Sequence, residues 1–566
     1  MFMKTLRAAK RFSAPCRALS ATGCWLIGML PMVAEASEPL VLVDQGKATA
    51  AIVVGSTASS TEQFAAAELQ AYLKKLSGVE LKIVEEDQQP EGARIVLGTP
   101  DSNRLMDAVR TDTLELDAQG FLIKRQDQAL MIAAKSKIGV LYGVYSFLEE
   151  LGVRWYQPGE EGEVVPHLKT VKASGKRRLE NPSFRWRGIQ LSITDQPFLL
   201  WAVRNRLNLI EARGCPLDSY PNGAEIRERF GLQLHSFNHG YPDAYIPREE
   251  MEAHAEWRTL HNGERLPAQS GVCVTHAGLR ARLAPAMIRA AENYPDRKSL
   301  GLTPNDIDVQ PCECEGCKTL QESFASARRP IAFAGKPDYS SLDFWFVNET
   351  AKELKKALPE HLVFSAAYAN FINSPPFSLE DNVVVTYAPL HYRCFTHSLD
   401  DDNCLDNRRH ADNIRCWGTQ AKQLLLWDYP CVGVTPVRLA RDLRFLRRNR
   451  FQGVWTQAGM DDNGETALEF STRDWTRLWY YALLRLGWNV NTDVAELLRE
   501  YFAGLYGNAG EPLQRVYEVY LQALERWPGD WEYGHHPIQM CDEDLQRIES
   551  LLEEAEKVRS LGEEVV

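Results

Sequence analysis

The sequence lacks an excess of positive charge. It has 64 Lys and Arg residues against 76 Asp and Glu residues, which gives a formal net charge of −12 over 566 residues. Proteins that bind the phosphate backbone of nucleic acids need a basic surface, so this balance argues against a nucleic-acid partner. With 45% hydrophobic and 10% aromatic residues, the chain can bury large cores, and its length predicts two or three globular domains.

Beyond its amino terminus, the chain also lacks an apolar run long enough for a transmembrane helix. The first 36 residues are different, because a basic stretch precedes an apolar one and Ala34-Glu35-Ala36 has the small-x-small pattern of a cleavage site. This predicts a signal peptide over residues 1–36, cleavage before Ser37, and a secreted or periplasmic product with no membrane partner. A membrane anchor is the alternative, but polar residues, Gly and Pro interrupt the apolar stretch.

The region from Leu40 to about Val171 contains short apolar strands around two helical stretches. This order predicts a small α/β sandwich with its helices on one side of a sheet. We place this amino-terminal domain at residues 37–175, and a polar, basic linker follows it.

After the linker, eight apolar strands recur with helical stretches between them. Each ends in polar, aromatic or Gly residues, and their sequences are FRWRGIQLSI, NRLNLIEAR, GLQLHSFNHG, KSLGLTPND, LVFSAAYAN, NVVVTYAPL, QLLLWDYP and FQGVWTQAG. The repeat predicts a TIM-like (β/α)₈ barrel over residues 183–475, with its active site at the carboxyl ends of the strands. An open doubly wound sheet is the alternative, but no Gly-rich phosphate loop follows any strand. Residues 476–566 are predicted to be helical and to pack on the barrel.

Three segments together resemble a known family. They are GVLYGVYSFLEELGVRWYQPGEEGEVVP, LHSFNHGY followed by HNGERLPAQSGVCVTH, and NDIDVQPCECEGC. They are similar to glycoside hydrolase family 163, joined to the leading domain that precedes the barrels of family 20 hexosaminidases and family 67 α-glucuronidases. The resemblance implies a secreted, retaining glycoside hydrolase that acts as an endo-β-N-acetylglucosaminidase on complex glycans. Its partner would be an oligosaccharide or glycoprotein glycan, with no cofactor required for catalysis.

Two alternatives to this function stay open. The shared leading domain also fits an exo-acting glucuronidase or another glycosidase. Family members often carry a Glu in the segment GVWTQAG, where this chain has Thr456 and Gln457, so a catalytically inactive, glycan-binding barrel is the second alternative. In a substrate-assisted route, the sugar's own N-acetyl oxygen attacks, and the protein supplies one acid and a group that polarises the amide. Candidates for that group are Asn305, Tyr368, Tyr387 and Gln457.

Two aspartates are the predicted catalytic residues, because glycoside hydrolysis usually needs an acid that protonates the leaving oxygen and a second group at the anomeric carbon. Asp306 ends the fourth strand after Asn305, and related barrels place their proton donor there; a simple Asn-Asp turn is the alternative. Asp428 ends the seventh strand between Trp427 and Tyr429, whose rings suit a sugar; a buried barrel rim is the alternative. Reserve acids are Glu211, Asp461, Asp462 and Glu465.

Two histidines, His235 and His239, lie at the end of the third strand with four-residue spacing. On a helix this spacing chelates zinc, whereas at a strand end sugar binding is favoured, with a structural histidine as the alternative. No Glu lies between them, which argues against a zinc hydrolase motif. The predicted substrate-binding residues are Asn305, His235, His239, Tyr368, Tyr387, Trp427, Trp455 and Gln457.

Four cysteines surround the predicted acid along the chain. Three follow it in C-x-C-x-x-C spacing and one lies in GVCVTH, and they are Cys273, Cys312, Cys314 and Cys317. Four sulfurs at this spacing either close a structural zinc site or form two disulfides, and an oxidising compartment favours the disulfides. Both would clamp the loop that carries Asn305 and Asp306. After the sixth strand, a further disulfide is predicted between Cys394 and Cys404, with buried free thiols as the alternative.

Overall fold

The computed structural model describes most of the chain after the predicted signal peptide. The described residues are 39–88, 90–189, 196–211, 222–236, 244–295, 297–305, 309–332, 335–390, 393–429, 435–456, 474–526 and 540–563. The predicted signal peptide, residues 1–36, lies outside them. Within the described ranges, no helix combines the length and the apolar character needed to cross a membrane.

The amino-terminal domain is built on a six-stranded mixed sheet. Its strands are short and rich in branched apolar residues, which fit a buried, pleated surface. In sheet order they are Arg178–Glu180, Phe121–Gln126, Ala129–Ala134, Ala93–Gly98, Ala50–Val54 and Ile83–Glu85. Two smaller sheets accompany it, formed by Val171–Ala173, Leu40–Asp44 and Lys47–Ala48, and by Arg154–Trp155 and Glu163–Val164.

Two helices, Ser60–Ser77 and Lys137–Glu150, cover one face of the six-stranded sheet. The first helix begins with a complete capping box between Ser59 and Glu62 and ends at Gly78, which adopts the left-handed conformation with φ of 75°. The predicted α/β sandwich with helices on one side is therefore confirmed. The opposite face packs against two 3₁₀ segments, Arg104–Val109 and Asp112–Glu115.

The second part of the chain is an eight-stranded parallel barrel, and all eight predicted strands form. In chain order they are Trp186–Ile189, Leu209–Glu211, Gln233–His235, Ser299–Gly301, Leu362–Ala367, Val383–Tyr387, Gln423–Asp428 and Gly453–Thr456. The eighth strand pairs with the first, and among the described residues the backbone ladder runs from the third strand round to the fourth. Side chains join these two, because Ser299 Oγ donates to the Leu234 carbonyl over 2.9 Å and Ser236 Oγ donates to the Ser299 carbonyl over 3.0 Å. The predicted barrel is thus confirmed as a near-closed one.

Helices follow seven of the eight strands and pack outside the barrel. They are Gln196–Arg204, Gly223–Phe230, Arg248–Ala253, Ala277–Asn293, Glu315–Ser323, Ser340–Ala357, Leu405–Gln420, Pro436–Arg448 and Asp474–Trp488. The fifth strand is followed by a 3₁₀ turn at Ala369–Phe371. The third and fourth strands each lead into two helices, and the first of these excursions contains a hairpin of Leu260–His261 and Glu264–Arg265. The predicted acid, Asp306, belongs to the second of these loops in the sequence.

The carboxyl-terminal region is helical, as predicted. The helix Asp474–Trp488 spans the predicted boundary at residue 475, and three more helices follow it: Val494–Tyr506, Gly510–Glu525 and Asp542–Glu563. Aromatic rings join them, since Trp475 lies 4.6 Å from Tyr517 and 6.1 Å from Phe502 between ring centroids.

Buried ion pairs join the amino-terminal domain to the barrel. Arg204 Nε donates to Glu68 Oε2 over 2.9 Å, and Arg206 Nη2 lies 2.6 Å from Glu149 Oε2. Arg485, on the helix after the eighth strand, contacts the same Glu149 carboxylate. Burial alone would raise the pKa of Glu149, but the two guanidinium groups outweigh it and hold that pKa at about 2. The junction therefore depends on an ionised glutamate.

Candidate functional site

The barrel interior is filled by aromatic side chains at the level of His235. The His235 ring stacks on Trp455 and meets Phe364 edge-on, with ring centroids 4.7 Å apart in each pair. Its Nε2 lies 3.1 Å from Thr386 Oγ1 across the barrel. Burial lowers the pKa of His235 to about 3, so the ring is neutral. His235 and Trp455 both fill the core, which favours the structural alternative for His235 over contact with sugar hydroxyls.

Asp428 belongs to a buried ion-pair network that joins the seventh strand to the loop after the sixth strand and to the helix Pro436–Arg448. Arg393 Nη1 donates to Asp428 Oδ1 over 2.7 Å, and Arg393 Nη2 donates to Asp442 Oδ2 over 3.1 Å. Arg438 Nε donates to the same Asp442 oxygen over 3.1 Å. The side chains of Asp428 and Arg393 are both 0% exposed. This arrangement corresponds to the buried-rim alternative, and it commits one Asp428 oxygen to the ion pair.

On the sixth strand, adjacent side chains point to opposite faces, and this decides whether a predicted residue can face the barrel interior. Thr386 points into the barrel towards His235, so the next residue, Tyr387, points outward. There its hydroxyl lies 2.7 Å from Nδ1 of His410, on the helix Leu405–Gln420, and the side chain is fully buried. Tyr387 therefore faces the helix layer, away from the barrel axis.

Three other aromatic residues lie at the carboxyl ends of the strands. Trp427 and Tyr429 stack with ring centroids 6.2 Å apart, and each is 7% exposed. Tyr368, just beyond the fifth strand, is partly exposed. Of the aromatic residues predicted to bind substrate, Tyr368 thus has the most open position among those that the structure describes.

Hydrogen bonds hold the chain on both sides of the predicted acid against the loop after the third strand. Asn305 Nδ2 donates to the Gln269 carbonyl over 2.9 Å, which joins the loop after the fourth strand to the loop after the third. Further along, the Gln310 amide donates to the Ser270 carbonyl over 3.1 Å. These bonds place both ends of the segment against the same stretch, residues 269–270.

The chain after the predicted acid is also held by Asn370, a residue that was not among the predicted site residues. Its Nδ2 donates to the Val309 carbonyl over 3.0 Å and to the Pro337 carbonyl over 3.1 Å. Asn370 is 5% exposed and follows the fifth strand. A signal for it exists in the sequence, because an Asn directly after an apolar strand can bond neighbouring main chain. The loops after the third, fourth and fifth strands are therefore joined into one unit.

Several predicted residues lie outside the described part of the chain: His239, Asp306, Gln457, Asp461, Asp462 and Glu465. Their roles stay predictions. For Glu211 the backbone is described, and it ends the second strand in register with His235 on the third. Arg393, the partner of Asp428, and Asp442, which also pairs with Arg393, were missed, because Arg393 lies 35 residues from Asp428 in the chain.

The four predicted cysteines come together. One atom from each lies within 4.8 Å of all the others, and three of the residues are buried. Cys273 Sγ is 3.5 Å from Cys314 Sγ and 3.8 Å from Cys317 Sγ. Hydrogen bonding with Cys312 is the main cause that raises the pKa of the Cys273 thiol to about 11. All cysteines of the described residues are free thiols, Cys394 and Cys404 included, so the structure contains none of the predicted disulfides there.

A cavity of about 520 Å³ lies between the amino-terminal domain and the first two helices of the barrel. Its lining includes Trp155, Trp201 and Arg204. Two acids line it, Glu160 and Glu163, and Glu163 is engaged by Lys75 at 2.5 Å and by Arg204 at 3.5 Å. One of its two carboxylates is therefore already committed to ion pairs.

Comparison with known families divides the chain in two. Residues 156–518 match a family described as a domain of unknown function, DUF4838. Residues 41–147 match the N-terminus of glycosyl hydrolase family 67, which confirms the predicted kind of leading domain. No curated protein matches the chain. Membership of family 163 stays a prediction.

The solved structures that share the fold include the following two. A family GH115 4-O-methyl-α-glucuronidase with specificity for decorated arabinogalactans is 11% identical, with a TM-score of 0.58 over 91% of this chain and 69% of that one. A GH138 enzyme targeting pectin rhamnogalacturonan II is 12% identical, with a TM-score of 0.50 over 84% of this chain. This chain spans 55% of the length of the second enzyme.

Proposed function

The chain belongs to the DUF4838 family, and we propose that it is an exported glycoside hydrolase, of the family 163 kind, that cleaves β-N-acetylglucosaminide linkages in complex glycans with retention. Barrels of this type carry their chemistry at the carboxyl ends of the strands. The observation that supports the proposal most is the anchoring of the segment around Asp306, with Asn305 bonded to Gln269 and Val309 bonded to Asn370. A proton donor needs such support, because small errors in position lower the rate steeply.

In the proposed reaction, Asp306 is the general acid. Its carboxylic acid gives a proton to the glycosidic oxygen while the bond from that oxygen to the anomeric carbon breaks. The carbonyl oxygen of the sugar's N-acetyl group attacks the same carbon and closes a cyclic oxazolinium ion. Water then attacks the anomeric carbon and gives its proton to Asp306. The oxazolinium ring opens and restores the N-acetyl group. The anomeric carbon of the product has the same configuration as in the substrate.

The environment of Asp428 supports this substrate-assisted route over a mechanism with two protein carboxylates. Arg393 engages Asp428 in a fully buried pair, so Asp428 is a poor candidate for attack on a sugar. Tyr387 faces His410 behind the sixth strand, which leaves other polar groups to orient the N-acetyl amide. We assign that role to Asn305, Tyr368 and Gln457. Glu211 is the acid that would serve as nucleophile on a substrate without an N-acetyl group.

The test compares Asp306→Asn with the wild-type enzyme on two substrates. Turnover of an N-glycan, which has a poor leaving group, should fall by about 10²-fold or more, as expected for loss of a general acid. An activated aryl β-N-acetylglucosaminide needs little protonation and should lose much less. Asp107→Asn, which changes an exposed acid of the amino-terminal domain, should change neither rate. Small and equal losses on both substrates for Asp306→Asn would remove the acid role and shift it to Glu211.

A second candidate is an exo-acting glucuronidase, which the match of residues 41–147 to the family 67 N-terminus favours. An aryl α-glucuronide assayed beside the N-acetylglucosaminide distinguishes the two. Turnover of the glucuronide alone would replace the first proposal. Glycan binding without turnover of either substrate would instead point to the inactive, glycan-binding barrel that Thr456 and Gln457 left open.

A further inference from the structure

Four cysteine sulfurs meet where the loop after the third barrel strand touches the loop after the fourth. We propose that they bind one Zn²⁺ ion as four thiolates and that this ion holds the two loops together. The ligands are Cys273, from the first loop, and Cys312, Cys314 and Cys317, from the second. The site is independent of the proposed hydrolase function, because the ion would be structural and would take no part in the reaction.

Sulfur positions favour a metal over disulfides. Tetrahedral zinc with Zn–S bonds of about 2.3 Å needs sulfur atoms roughly 3.8 Å apart. Cys273 Sγ lies 3.5 Å from Cys314 Sγ and 3.8 Å from Cys317 Sγ. Disulfides join sulfurs in pairs at about 2.05 Å, so they would draw Cys273 towards one partner and away from the other. Similar distances from one sulfur to two others are expected when all of these sulfurs bind the same ion.

The local backbone presents three of the ligands from one turn. Cys314 is the N-cap residue of the helix Glu315–Ser323, and Cys317 lies in its first turn. Cys312 comes two residues before the cap. The positive end of the helix dipole favours thiolate over thiol at such positions. The C-x-C-x-x-C spacing thus folds into a compact set of three sulfur ligands.

Polar groups also lie beside two of the sulfurs, those of Cys312 and Cys317. The Leu260 amide donates to Cys312 Sγ over 3.4 Å, and Arg265 Nη1 lies 4.0 Å from the same sulfur. Thr275 Oγ1 lies 3.1 Å from Cys317 Sγ. Four thiolates around Zn²⁺ keep a net charge of about −2, which donors in the outer shell of such sites offset.

The ion would fasten the hairpin Leu260–His261 and Glu264–Arg265 to the segment that follows Asp306. Hydrogen bonds already join the hairpin to this segment. The Glu313 amide donates to the Leu260 carbonyl over 2.8 Å, and the Asn262 amide donates to Glu313 Oε2 over 2.8 Å. Cys273 is itself fixed through its amide, which donates to the Trp257 carbonyl over 2.8 Å. Zinc would therefore complete a clamp that the main chain already begins.

The decisive measurement is the metal content of the purified full chain after dialysis without added metal. We expect one zinc ion per chain. Cys317→Ser should abolish or strongly reduce it, whereas Cys416→Ser should keep it, because Cys416 is partly exposed on the helix Leu405–Gln420 and lies outside the cluster. A chain without zinc, or equal zinc in both variants, would overturn the proposal.

Thiol counting separates zinc from disulfides even if Cys317→Ser fails to fold. Wild-type protein denatured without reductant, in the presence of a chelator, should have all four cluster cysteines alkylated, as intact mass and peptide mapping would show. Peptides joined through Cys273, Cys312, Cys314 or Cys317 would instead establish disulfides and overturn the zinc site. A chelator should also lower the melting temperature of the folded wild-type chain, and an unchanged melting temperature on confirmed zinc loss would refute the clamp.

Discussion

The fourth and seventh barrel strands hold their carboxyl ends in different ways. At the seventh strand, a charged network does this, with Asp428 and Asp442 bridged by Arg393 in a space closed to solvent. At the fourth strand, neutral side-chain amides do it, since Asn305 and Asn370 bond to main-chain carbonyls of neighbouring loops. Both devices fix the backbone beyond a strand. They differ in what they do to a carboxylate at the strand end.

An ion pair uses a carboxylate as the anchor, whereas the amides of Asn305 and Asn370 anchor the chain without one. Asp428 gives one oxygen to Arg393 and accepts from the Tyr429 amide over 3.0 Å, so its charge fixes the chain around it. The anchors around Asp306 are carried by other residues. Replacing the carboxyl group at the two positions should therefore have different consequences, for stability at Asp428 and for turnover at Asp306.

The largest effect on stability is expected for Asp428→Asn. Loss of this charge leaves Arg393 buried with one ionised partner fewer, and breaking a buried pair costs about 3–5 kcal/mol. Urea unfolding of the purified variant would measure it. Asp107→Asn, whose partner Arg110 is 2.9 Å away on the surface, is the control and should lose less than about 1 kcal/mol.

Asp306→Asn completes the contrast in the same unfolding experiment. Its free energy of unfolding should stay within about 0.5 kcal/mol of the wild type, although turnover of poor substrates falls. A stable Asp428→Asn variant with a large loss of turnover would reverse the contrast, and Asp428 would return as a catalytic residue.

The next effect concerns Glu149, a carboxylate buried in the same manner at the domain junction. Its pKa in the folded protein is held at about 2, below the ordinary value of 4.5, so the ionised form stabilises the fold. That stabilisation is complete above about pH 4.5 and is lost as the pH falls towards 2. Glu149→Gln should therefore lose about 3 kcal/mol near neutral pH, with a difference that narrows below pH 4.5.

Unfolding measured at several pH values tests this. Glu353→Gln is the control, because Glu353 pairs with Lys356 at 2.8 Å on an exposed helix face and should show little difference at any pH. A loss for Glu149→Gln that stays constant down to about pH 3 would show that packing, and not charge, accounts for it.

Strand positions could be predicted from the sequence because barrel strands are local and apolar. A parallel strand buried on both faces is a near-continuous apolar run, as in QLLLWD, which forms Gln423–Asp428. The end of the sandwich helix Ser60–Ser77 follows from the sequence through Gly78, whereas its cap is Ser59, one residue before the predicted Ser60 or Thr61. These features need no knowledge of distant residues.

Side-chain direction could not be predicted from the same runs. Thr386 and Tyr387 are adjacent, yet the first points to His235 in the barrel and the second to His410 outside it. A run that is apolar on both faces contains no alternation that separates inside from outside. The role of Asp428 was ambiguous for the same reason, because its partner Arg393 lies 35 residues away and only tertiary packing brings it close.

For the four cysteines, the sequence predicted that they meet but not whether they bind a metal or form disulfides. Their convergence followed from the placement of two loops at one barrel face, and the structure brings them together. The sequence could not decide between a metal and disulfides, because both use the same spacing. That choice depends on sulfur positions within an ångström or so, which spacing does not determine.

A smaller loss of stability than for Asp428→Asn or Glu149→Gln is expected for Asn370→Ala, which tests the neutral anchors directly. The change removes two donated bonds, to Val309 and Pro337, and should cost about 1–2 kcal/mol of stability. Asn382→Ala is the matched control, since Asn382 is similarly buried and donates over 3.1 Å to the Ala351 carbonyl from the opposite end of the sixth strand.

Both variants should lose similar stability, but only Asn370→Ala should lose turnover. Its loss should be larger on the N-glycan, up to about 10²-fold, than on the activated aryl substrate, because a shifted Asp306 matters most where protonation is slow. This pattern distinguishes a positioning residue from a structural one. Equal losses on the two substrates, or the same losses in Asn382→Ala, would mean that the bonds at Val309 and Pro337 support the fold alone.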